Sequence, residues 1–390
     1  MKIRSTTTFA RVDENLQTAA LERAAALNQA ARATADDAGF VLQTTRFAAQ
    51  PLAEILRASS ALEFGRAYER RYRELGFDYG ALLLSAPSVY DAARALVTET
   101  ETLFVSLAIA NQVDGIQFDA LRAAARAIHA LARASADGLF NFRFAAAANV
   151  PPFVPYFPTA YAGDADAPCF AFALEAADLA VDAFTAAPTL RDAQTRLVNA
   201  METRAARLDA WGARLETQSG ARYAGIDFSM APYPSENASL ATALERLTGA
   251  RFGTRGTLFA AAFVTDTLRR ARFTRAGFSA LMLPLLEDWT MARRSRENLF
   301  TLDSLLLYST VCGTGLDTIP LAGDTTEHAI AALLLDLAAL ATKLAKPLTA
   351  RLVPVAGTRA GEGTQFDFEF FANANVFGIE ADAGLKLLEM

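Results

Sequence analysis

Residues 79–149 decide the fold class, and their sequence is YGALLLSAPSVYDAARALVTETETLFVSLAIANQVDGIQFDALRAAARAIHALARASADGLFNFRFAAAAN. Three apolar runs of strand length alternate here with two segments that predict helices, Ser88–Glu99 and Phe118–Ala136. Strands separated by helices pair in parallel through crossovers, and the helices pack outside the sheet. The stretch therefore predicts an α/β fold.

The same alternation extends to both sides of this stretch. Before it, the predicted strands are Met1–Arg11 and Val41–Ala48, and the predicted helices are Asp13–Asp37 and Pro51–Leu75. After it come predicted helices at Leu190–Thr217, Leu258–Arg272 and Thr326–Lys346, and predicted strands at Tyr223–Ser229 and Pro347–Val355.

No repeat or low-complexity linker divides the chain, so we predict one domain over residues 1–390. A single large, closed α/β barrel fits this pattern best, and an open doubly wound sheet is the alternative. The segment Pro151–Pro168 is rich in proline and aromatic residues, and we expect an ordered loop that folds over the barrel.

Composition excludes several classes of protein. The 390 residues carry a formal net charge of −6, so a nucleic-acid partner is not expected. The 2 cysteines form no CxxC pair, which fits a reducing compartment. The N-terminus lacks the apolar core of a signal peptide, and the apolar run Ala329–Lys346 contains Asp336 and Lys343. These features predict a cytoplasmic protein without a membrane span.

Histidine chemistry has little support, because the chain has only 2 histidines. His129 lies in the middle of a predicted helix and His328 in the first turn of another, where structural or exposed roles are common. Ser-His-Asp catalysis and His-based zinc sites are therefore not expected. The general acid or base of any reaction would therefore be a carboxylate, Cys312 or Lys346.

The densest polar segment is YSTVCGTGLDTIPLAGD, from Tyr308 to Asp324. Cys312 precedes two glycines that allow a sharp turn, and Asp317 follows them. A thiol on such a turn suits a nucleophile or a thiyl-forming residue that faces the barrel interior, but a small buried cysteine is the alternative. Asp324 is a candidate metal ligand, or it caps the next helix together with Glu327.

Three further segments place polar side chains at predicted strand ends. Asp227 and Ser229 share one face of a strand, and Glu287 with Asp288 ends an apolar run. The two adjacent acids alternatively mark a solvated helix start. Arg351 shares a strand face with Thr349, so it meets either a buried partner, an anionic ligand or solvent.

Five strings resemble a known family: VCGTGLDTIPLAGD, LMLPLLED, GIDFSMAPYP, KPLTARLVPV and NVPPFVPYFPTAY. They look like the bacterial and archaeal proteins of the domain of unknown function 711, and the resemblance extends from MKIRSTTTF to FDFEFFANANVFGI. We expect a bacterial source.

The resemblance implies a ten-stranded α/β barrel related to pyruvate formate-lyase and anaerobic ribonucleotide reductase, with an inserted finger loop. In those enzymes a finger-loop cysteine forms a thiyl radical, and Cys312 is its nearest equivalent. Their glycyl-radical motif is absent, because Gly378 has neither the preceding arginine nor the following aromatic residue. No glycyl radical is therefore expected. The resemblance also implies a small amino-acid-sensing domain protein as a partner, and a homo-oligomer is a further expectation.

Three functions remain open: a non-radical enzyme acting on a small polar or anionic metabolite, a catalytically silent binding or regulatory protein, and a thiol enzyme that uses Cys312. The first uses a carboxylate-rich site, which would prefer Mg²⁺ or Ca²⁺ to zinc. The predicted catalytic residues are Cys312, Asp317 and Asp288. The predicted substrate-binding residues are Arg351, Lys346 and Ser229, and the predicted metal ligands are Asp227, Glu287 and Asp324.

Overall fold

The computed structural model of the protein describes residues 2–135, 137–165 and 167–380, and within these ranges ten strands form one mixed sheet. The strands are β1 (Lys2–Phe9), β2 (Leu42–Ala48), β3 (Tyr79–Leu84), β4 (Leu103–Asn111), β5 (Gly115–Ile116), β6 (Phe144–Ala148), β7 (Cys169–Glu175), β8 (Arg222–Ala231), β9 (Gly315–Ala322) and β10 (Leu348–Val355). Their order is β8-β7-β1-β2-β3-β4-β6-β10-β9, and β5 pairs with β4 outside this path.

Two sets of strands run in opposite directions. β1, β2, β3, β4 and β6 are mutually parallel, as the alternation of strands and helices predicts. β7 is antiparallel to β1, and β10 is antiparallel to β6. β8 and β9 are parallel to β7 and β10 respectively. The sheet is therefore a parallel centre flanked by two pairs of strands that run in the opposite direction, and the sequence pattern does not predict these reversals.

Helices cover one face of the sheet and bury the main apolar core against it. They are α1 (Ala19–Thr34), α2 (Leu52–Ile55), α3 (Ala61–Glu74), α4 (Ala93–Thr98), α5 (Phe118–Ala134), α6 (Ala177–Thr185), α7 (Leu190–Ser219), α8 (Leu240–Thr248), α9 (Thr257–Arg270), α10 (Trp289–Arg296), α11 (Leu302–Ser309) and α12 (Glu327–Lys343). None of the helices in the described ranges has the length and apolar character needed to cross a membrane.

The α/β class is confirmed, but the sheet is not closed, so the closed barrel and the likeness to pyruvate formate-lyase are not confirmed. Residues 274–284 lie between the edge strands β8 and β9 as irregular backbone. They form single bridges to each edge, between Ile226 and Arg275 and between Pro284 and Asp317. Gly277 and Ser279 have φ values of +58° and +41°, which lie outside the range of a strand, and Pro284 has no N–H to donate to a neighbouring strand.

The segment Pro151–Pro168 does not fold over a closed barrel, because the sheet is open, and its described residues pack against the sheet instead. Phe157 packs with Phe9 and Phe104 on the face of the sheet opposite the helices, and Val154 and Tyr156 pack near Met282 on the same side. The Tyr156 hydroxyl donates to the carbonyl of Leu174 in β7. The aromatic side chains thus fill the inner face of the sheet and form part of the wall of a cavity.

Candidate functional site

A cavity of about 510 Å³ lies on this inner face of the sheet. Its charged lining residues are Lys2, Arg4, Arg46, Arg143, Glu287, Asp317, Arg351 and Glu369. Its aromatic lining residues are Tyr79, Phe104, Phe142, Tyr156, Phe157, Tyr233, Phe278, Phe368 and Phe370. A concave, largely apolar space with a few convergent charges is the usual form of a small-molecule site.

Four of these charged side chains form one chain of ion pairs. Arg351 donates from Nε to Asp317 Oδ1 at 2.6 Å and from Nη2 to Glu287 Oε1 at 2.7 Å. Arg4 donates from Nη1 to Glu287 Oε2 at 2.8 Å. The exposed fractions of the side chains are only 17% for Arg4, 5% for Glu287, 7% for Arg351 and 13% for Asp317. The two positive and two negative charges cancel. Burying them therefore costs little free energy only while all four side chains of this ion-pair chain are present.

Irregularities in the strands aim these residues into the cavity. The pairing of β1 with β7 shifts register between Ile3 and Ser5, on either side of Arg4. The pairing of β10 with β9 shifts between Ala350 and Leu352, on either side of Arg351. Thr318, which follows Asp317, has a φ of +47°, a strained value for a β-branched residue. Bulges and strain of this kind concentrate at functional sites.

The two carboxylates of the ion-pair chain, Glu287 and Asp317, differ in the direction in which their pKa values are shifted. Burial acts to raise the pKa of Glu287, but Arg351 and Arg4 outweigh it and hold that pKa below its usual value. Burial raises the pKa of Asp317 despite the neighbouring Arg351, and nearby Glu287 raises it further. Asp317 Oδ2 has no hydrogen-bond partner among the described residues. Glu287 therefore stays ionised, whereas Asp317 is the group suited to accept and release a proton.

Arg46 has no carboxylate partner within the described residues, and unlike Arg143, which donates to the carbonyls of Leu103 and Val97, it makes no hydrogen bond to the backbone there. Its Nε donates to Thr44 Oγ1 at 3.1 Å, and its guanidinium lies 5.9 Å from the Tyr79 ring centre and 5.1 Å from that of Phe157. Burial, followed by the charge of Arg4, lowers the pKa of Arg46 to about 10. The side chain therefore remains charged at neutral pH and is costly to the folded state unless an anion joins it.

The mouth of the cavity is bordered by residues 366–371, which contribute Phe368, Glu369 and Phe370 to its lining. Phe368 packs against Phe142 with ring centres 5.5 Å apart. On the same Phe142 ring lies the Arg351 guanidinium, 4.8 Å from the ring centre. The border segment therefore contacts the ion-pair chain through one shared aromatic ring.

The structure places Asp227 and Ser229 outside this cavity. The Asp227 carboxylate accepts hydrogen bonds from Ser229 Oγ at 2.6 Å, from Phe278 N at 2.7 Å and from Ser279 N at 2.8 Å. A Cβ on Gly277 would lie 2.0 Å from Asp227 Oδ2, so this approach requires glycine. Asp227 thus anchors residues 274–284 between the edge strands.

The buried Asp227 predicts an unusual pH dependence of stability. Burial raises its pKa from 3.8 to about 6, although the hydrogen bonds that the carboxylate accepts act to lower this pKa. A raised folded-state pKa gives stability that is present below the unfolded value and lost as pH rises through the folded one. Between pH 4 and pH 7, wild type should therefore lose roughly 2 kcal/mol relative to Asp227→Asn. Urea unfolding at both pH values measures this, and a difference independent of pH contradicts it.

Asp288 and Asp324 also lie apart from the cavity lining. Asp288 is buried at the start of α10, where its side chain accepts hydrogen bonds from Thr290 N at 3.1 Å and Met291 N at 3.0 Å. Asp324 is exposed, and Thr326 rather than Asp324 caps α12. A helix does start at Asp288, but this residue is buried and not solvated as that alternative predicts. The capping box of Asp324 with Glu327 is wrong, because Glu327 is the first residue of α12 and Thr326 caps it.

Of the three predicted metal ligands, only Glu287 lines the cavity, since Asp227 and Asp324 lie elsewhere. Both Glu287 oxygens accept from arginines. The described residues contain no group of three or more His, Cys, Asp or Glu side chains placed to hold a metal ion.

Cys312 and Lys346 line a second cavity, of about 550 Å³, near α9. The Cys312 thiol donates to Leu281 O at 3.3 Å, and its sulfur accepts from Thr314 N at 3.4 Å. Lys346 Nζ donates to three backbone carbonyls, those of Ser309, Thr310 and Cys312. The turn at Cys312 thus does not deliver the thiol to the first cavity, because its sulfur is held against residues 274–284.

Both thiols should resist modification in the folded protein. Cys169 and Cys312 are buried, and burial raises the pKa of Cys169 to about 11. Titration with Ellman's reagent is expected to release less than about 0.1 equivalent from native protein in an hour and two equivalents in denaturant. Rapid reaction of one thiol in wild type that Cys312→Ser removed would contradict the buried placement.

Of the charged residues around the ion-pair chain and Arg46, the sequence predicts Glu287, Asp317 and Arg351 but not Arg4 or Arg46. A signal for Arg46 exists, because Thr44, Arg46 and Ala48 share one face of a strand by its period of two. Arg4 offers no such signal. Its period-two neighbours, Thr6 and Thr8, have buried hydroxyls without a hydrogen-bond partner among the described residues, and only the bulge turns Arg4 toward Glu287.

Comparison with known proteins agrees with the resemblance found in the sequence. The sequence profile of the family described as "Uncharacterised ACR (DUF711)" matches residues 1–370. A UPF0210 protein of Pyrobaculum arsenaticum is 30% identical over 366 residues, which cover 86% of this chain and 78% of that protein. The resemblance is thereby confirmed.

More distant relatives carry the same name. A UPF0210 protein of Methanococcus aeolicus is 23% identical, with 91% of this chain and 84% of that protein covered. One of Desulforamulus reducens is 26% identical, with 84% and 77% covered. Archaeal and bacterial proteins both match, so the expected bacterial source is not supported.

Proposed function

The chain belongs to the DUF711 family, and since the names of its relatives state no activity, we propose from its site that it is a non-radical enzyme acting on a small organic anion. Arg46 binds the anionic group, and Asp317 transfers a proton to or from the bound molecule. The single observation that carries this proposal is the charged guanidinium of Arg46, which faces the cavity without a carboxylate partner among the described residues.

The anion-binding half of the proposal rests on energetics. A charged group removed from water costs free energy unless a partner compensates it. Glu287 and Asp317 already pair with Arg4 and Arg351, so they leave Arg46 uncompensated. A ligand anion supplies the missing charge, and charge-assisted hydrogen bonds to arginine are strong and directional.

The proton-transfer half rests on Asp317. Arg351 holds one carboxylate oxygen at 2.6 Å and so fixes the side chain, while the other oxygen is left for the ligand. A pKa raised by burial brings a carboxylate closer to the pH at which it exchanges protons efficiently. Arg351 and Glu287 are positioning residues in this scheme. We also keep the proposal that the site binds Mg²⁺ or Ca²⁺. Glu287 is the one predicted metal ligand that lines the cavity.

A catalytically silent binding protein is the second candidate, because both cavity carboxylates already pair with arginines. Proton exchange in D₂O separates the two candidates. Wild-type protein is incubated with a set of small carboxylic acids, and deuterium incorporation is followed by ¹H NMR. An enzyme exchanges a C–H proton of one acid, and the rate falls as pH drops through the raised pKa of Asp317. Asp317→Asn retains binding and loses exchange. Binding of an acid by wild type without exchange supports the second candidate.

A further inference from the structure

We propose that the anion is a planar aromatic monocarboxylate, an inference that rests on the proposed function of the same cavity. Three features of the lining lead to it: the part of Arg46 that is free, the balance of charge, and the arrangement of the rings around the guanidinium.

The free part of Arg46 is the end of its guanidinium. Thr44 Oγ1 accepts from Nε, so Nη1 and Nη2 are the nitrogens without a hydrogen-bond partner among the described residues. These two nitrogens present a pair of N–H bonds in one plane. A carboxylate offers two oxygens in one plane at matching separation, so the two groups form a bidentate pair.

The charge balance selects a monoanion. Arg4, Glu287, Arg351 and Asp317 cancel, and Lys2 and Glu369 are exposed and opposite in charge, so Arg46 and Arg143 are the cations that remain on the inner wall. Arg143 is directed to the backbone, because it donates to Leu103 O at 3.0 Å and Val97 O at 2.6 Å. Arg46 therefore offers two free N–H donors, enough for one carboxylate, and the additional charge of a dianion would be buried without a hydrogen-bond donor, which is costly. Carboxylate is therefore preferred to a doubly charged phosphate monoester.

The rings beside Arg46 select the body of the ligand. Phe104 contacts Tyr79 and Phe157 edge to face, with ring centres 5.5 Å and 5.4 Å apart. All three line the cavity, and two of them also contact the Arg46 guanidinium. A further edge-to-face contact, with ring centres 6.0 Å apart, joins Phe104 to Phe142. A planar ring attached to the carboxylate continues this arrangement, and aromatic pairs gain energy beyond their buried area.

Calorimetric titration of the full chain with four probes tests the inference: benzoate, cyclohexanecarboxylate, acetate and phenyl phosphate. Benzoate is expected to bind about three- to tenfold more tightly than cyclohexanecarboxylate, which lacks the aromatic ring. Acetate is expected to bind at least about 100-fold more weakly, since it buries no ring. Phenyl phosphate is expected to bind more weakly than benzoate at pH 7.5, where it is a dianion.

Phe104→Leu should remove the preference for benzoate over cyclohexanecarboxylate, whereas Phe259→Leu, at an exposed position, should keep it. Tyr79→Leu, at a half-buried position, is the second variant if Phe104→Leu does not fold. Equal or tighter binding of cyclohexanecarboxylate or phenyl phosphate to wild type refutes the aromatic monocarboxylate and leaves the proposed function intact. If none of the four binds, the anion site itself is refuted.

Discussion

Arg46→Leu is expected to weaken the binding of benzoate by about 100-fold or more, since two charge-assisted hydrogen bonds are lost at about 1.5–3 kcal/mol each. Arg46→Lys should retain part of the affinity, because lysine keeps the charge but has no planar fork. Arg11→Leu is a matched control, since Arg11 is more exposed and already pairs with Glu54 and Asp164. Calorimetric titration of all three variants measures the effect.

The same substitution should stabilise the unliganded protein. Burial lowers the pKa of Arg46 from its usual value to about 10, which means that the folded state disfavours its charge. For a cation this cost is present at every pH below about 10 and is relieved only above it. Arg46→Leu should therefore raise the free energy of unfolding at pH 7 by about 1–3 kcal/mol. A variant that both lost stability and kept benzoate affinity would assign Arg46 a structural role.

Arg351→Met is expected to have the largest effect on stability, a loss of about 3–5 kcal/mol at pH 7. The substitution leaves Asp317 without an ion-pair partner within the described residues and leaves Glu287 with Arg4 alone. Arg73→Met is the control, because its ion pair with Glu101 is exposed and such pairs contribute at most about 1 kcal/mol. Guanidinium unfolding gives both free energies.

The loss in Arg351→Met should shrink in acid. Without Arg351 the pKa values of Asp317 and Glu287 rise, so both carboxyls can become neutral at mildly acidic pH and no longer bury an unpaired charge. The difference from wild type at pH 4.5 should therefore be clearly smaller than at pH 7. A loss of under 1 kcal/mol at pH 7, equal to that of Arg73→Met, would show that the ion-pair chain does not stabilise the fold.

The sequence predicts the parallel centre of the sheet well, because helical segments separate its strands along the chain. β3, β4 and β6 are mainly apolar runs, whereas β1 and β2 mix polar and apolar side chains. The sequence does not predict β7 and β9. β7 follows the irregular segment Pro151–Pro168, and β9 begins at Gly315, where the glycines after Cys312 predict a sharp turn. Their directions depend on pairing with β1 and β10, which lie far away in the chain. Local patterns carry no information on such pairings.

The sequence also predicts only part of the candidate site, because the contacts that build the site join distant parts of the chain. Glu287, Asp317 and Arg351 stand out as charges in apolar runs, and all three line the cavity. Asp227 and Asp288 show the same pattern, yet they accept backbone hydrogen bonds that hold loops and a helix start. Only the three-dimensional contacts distinguish a charge that faces a cavity from one that fastens the backbone.

The central claim is that Arg46 binds a carboxylate inside the cavity, and a crystal structure with 4-bromobenzoate tests it most directly. The anomalous signal of bromine locates the ring without reference to the protein. We predict bromine within the cavity near Phe104, with both carboxylate oxygens at hydrogen-bond distance from Arg46 Nη1 and Nη2. A bromine site elsewhere, or an Arg46 that pairs with a carboxylate of the protein itself, would contradict the claim.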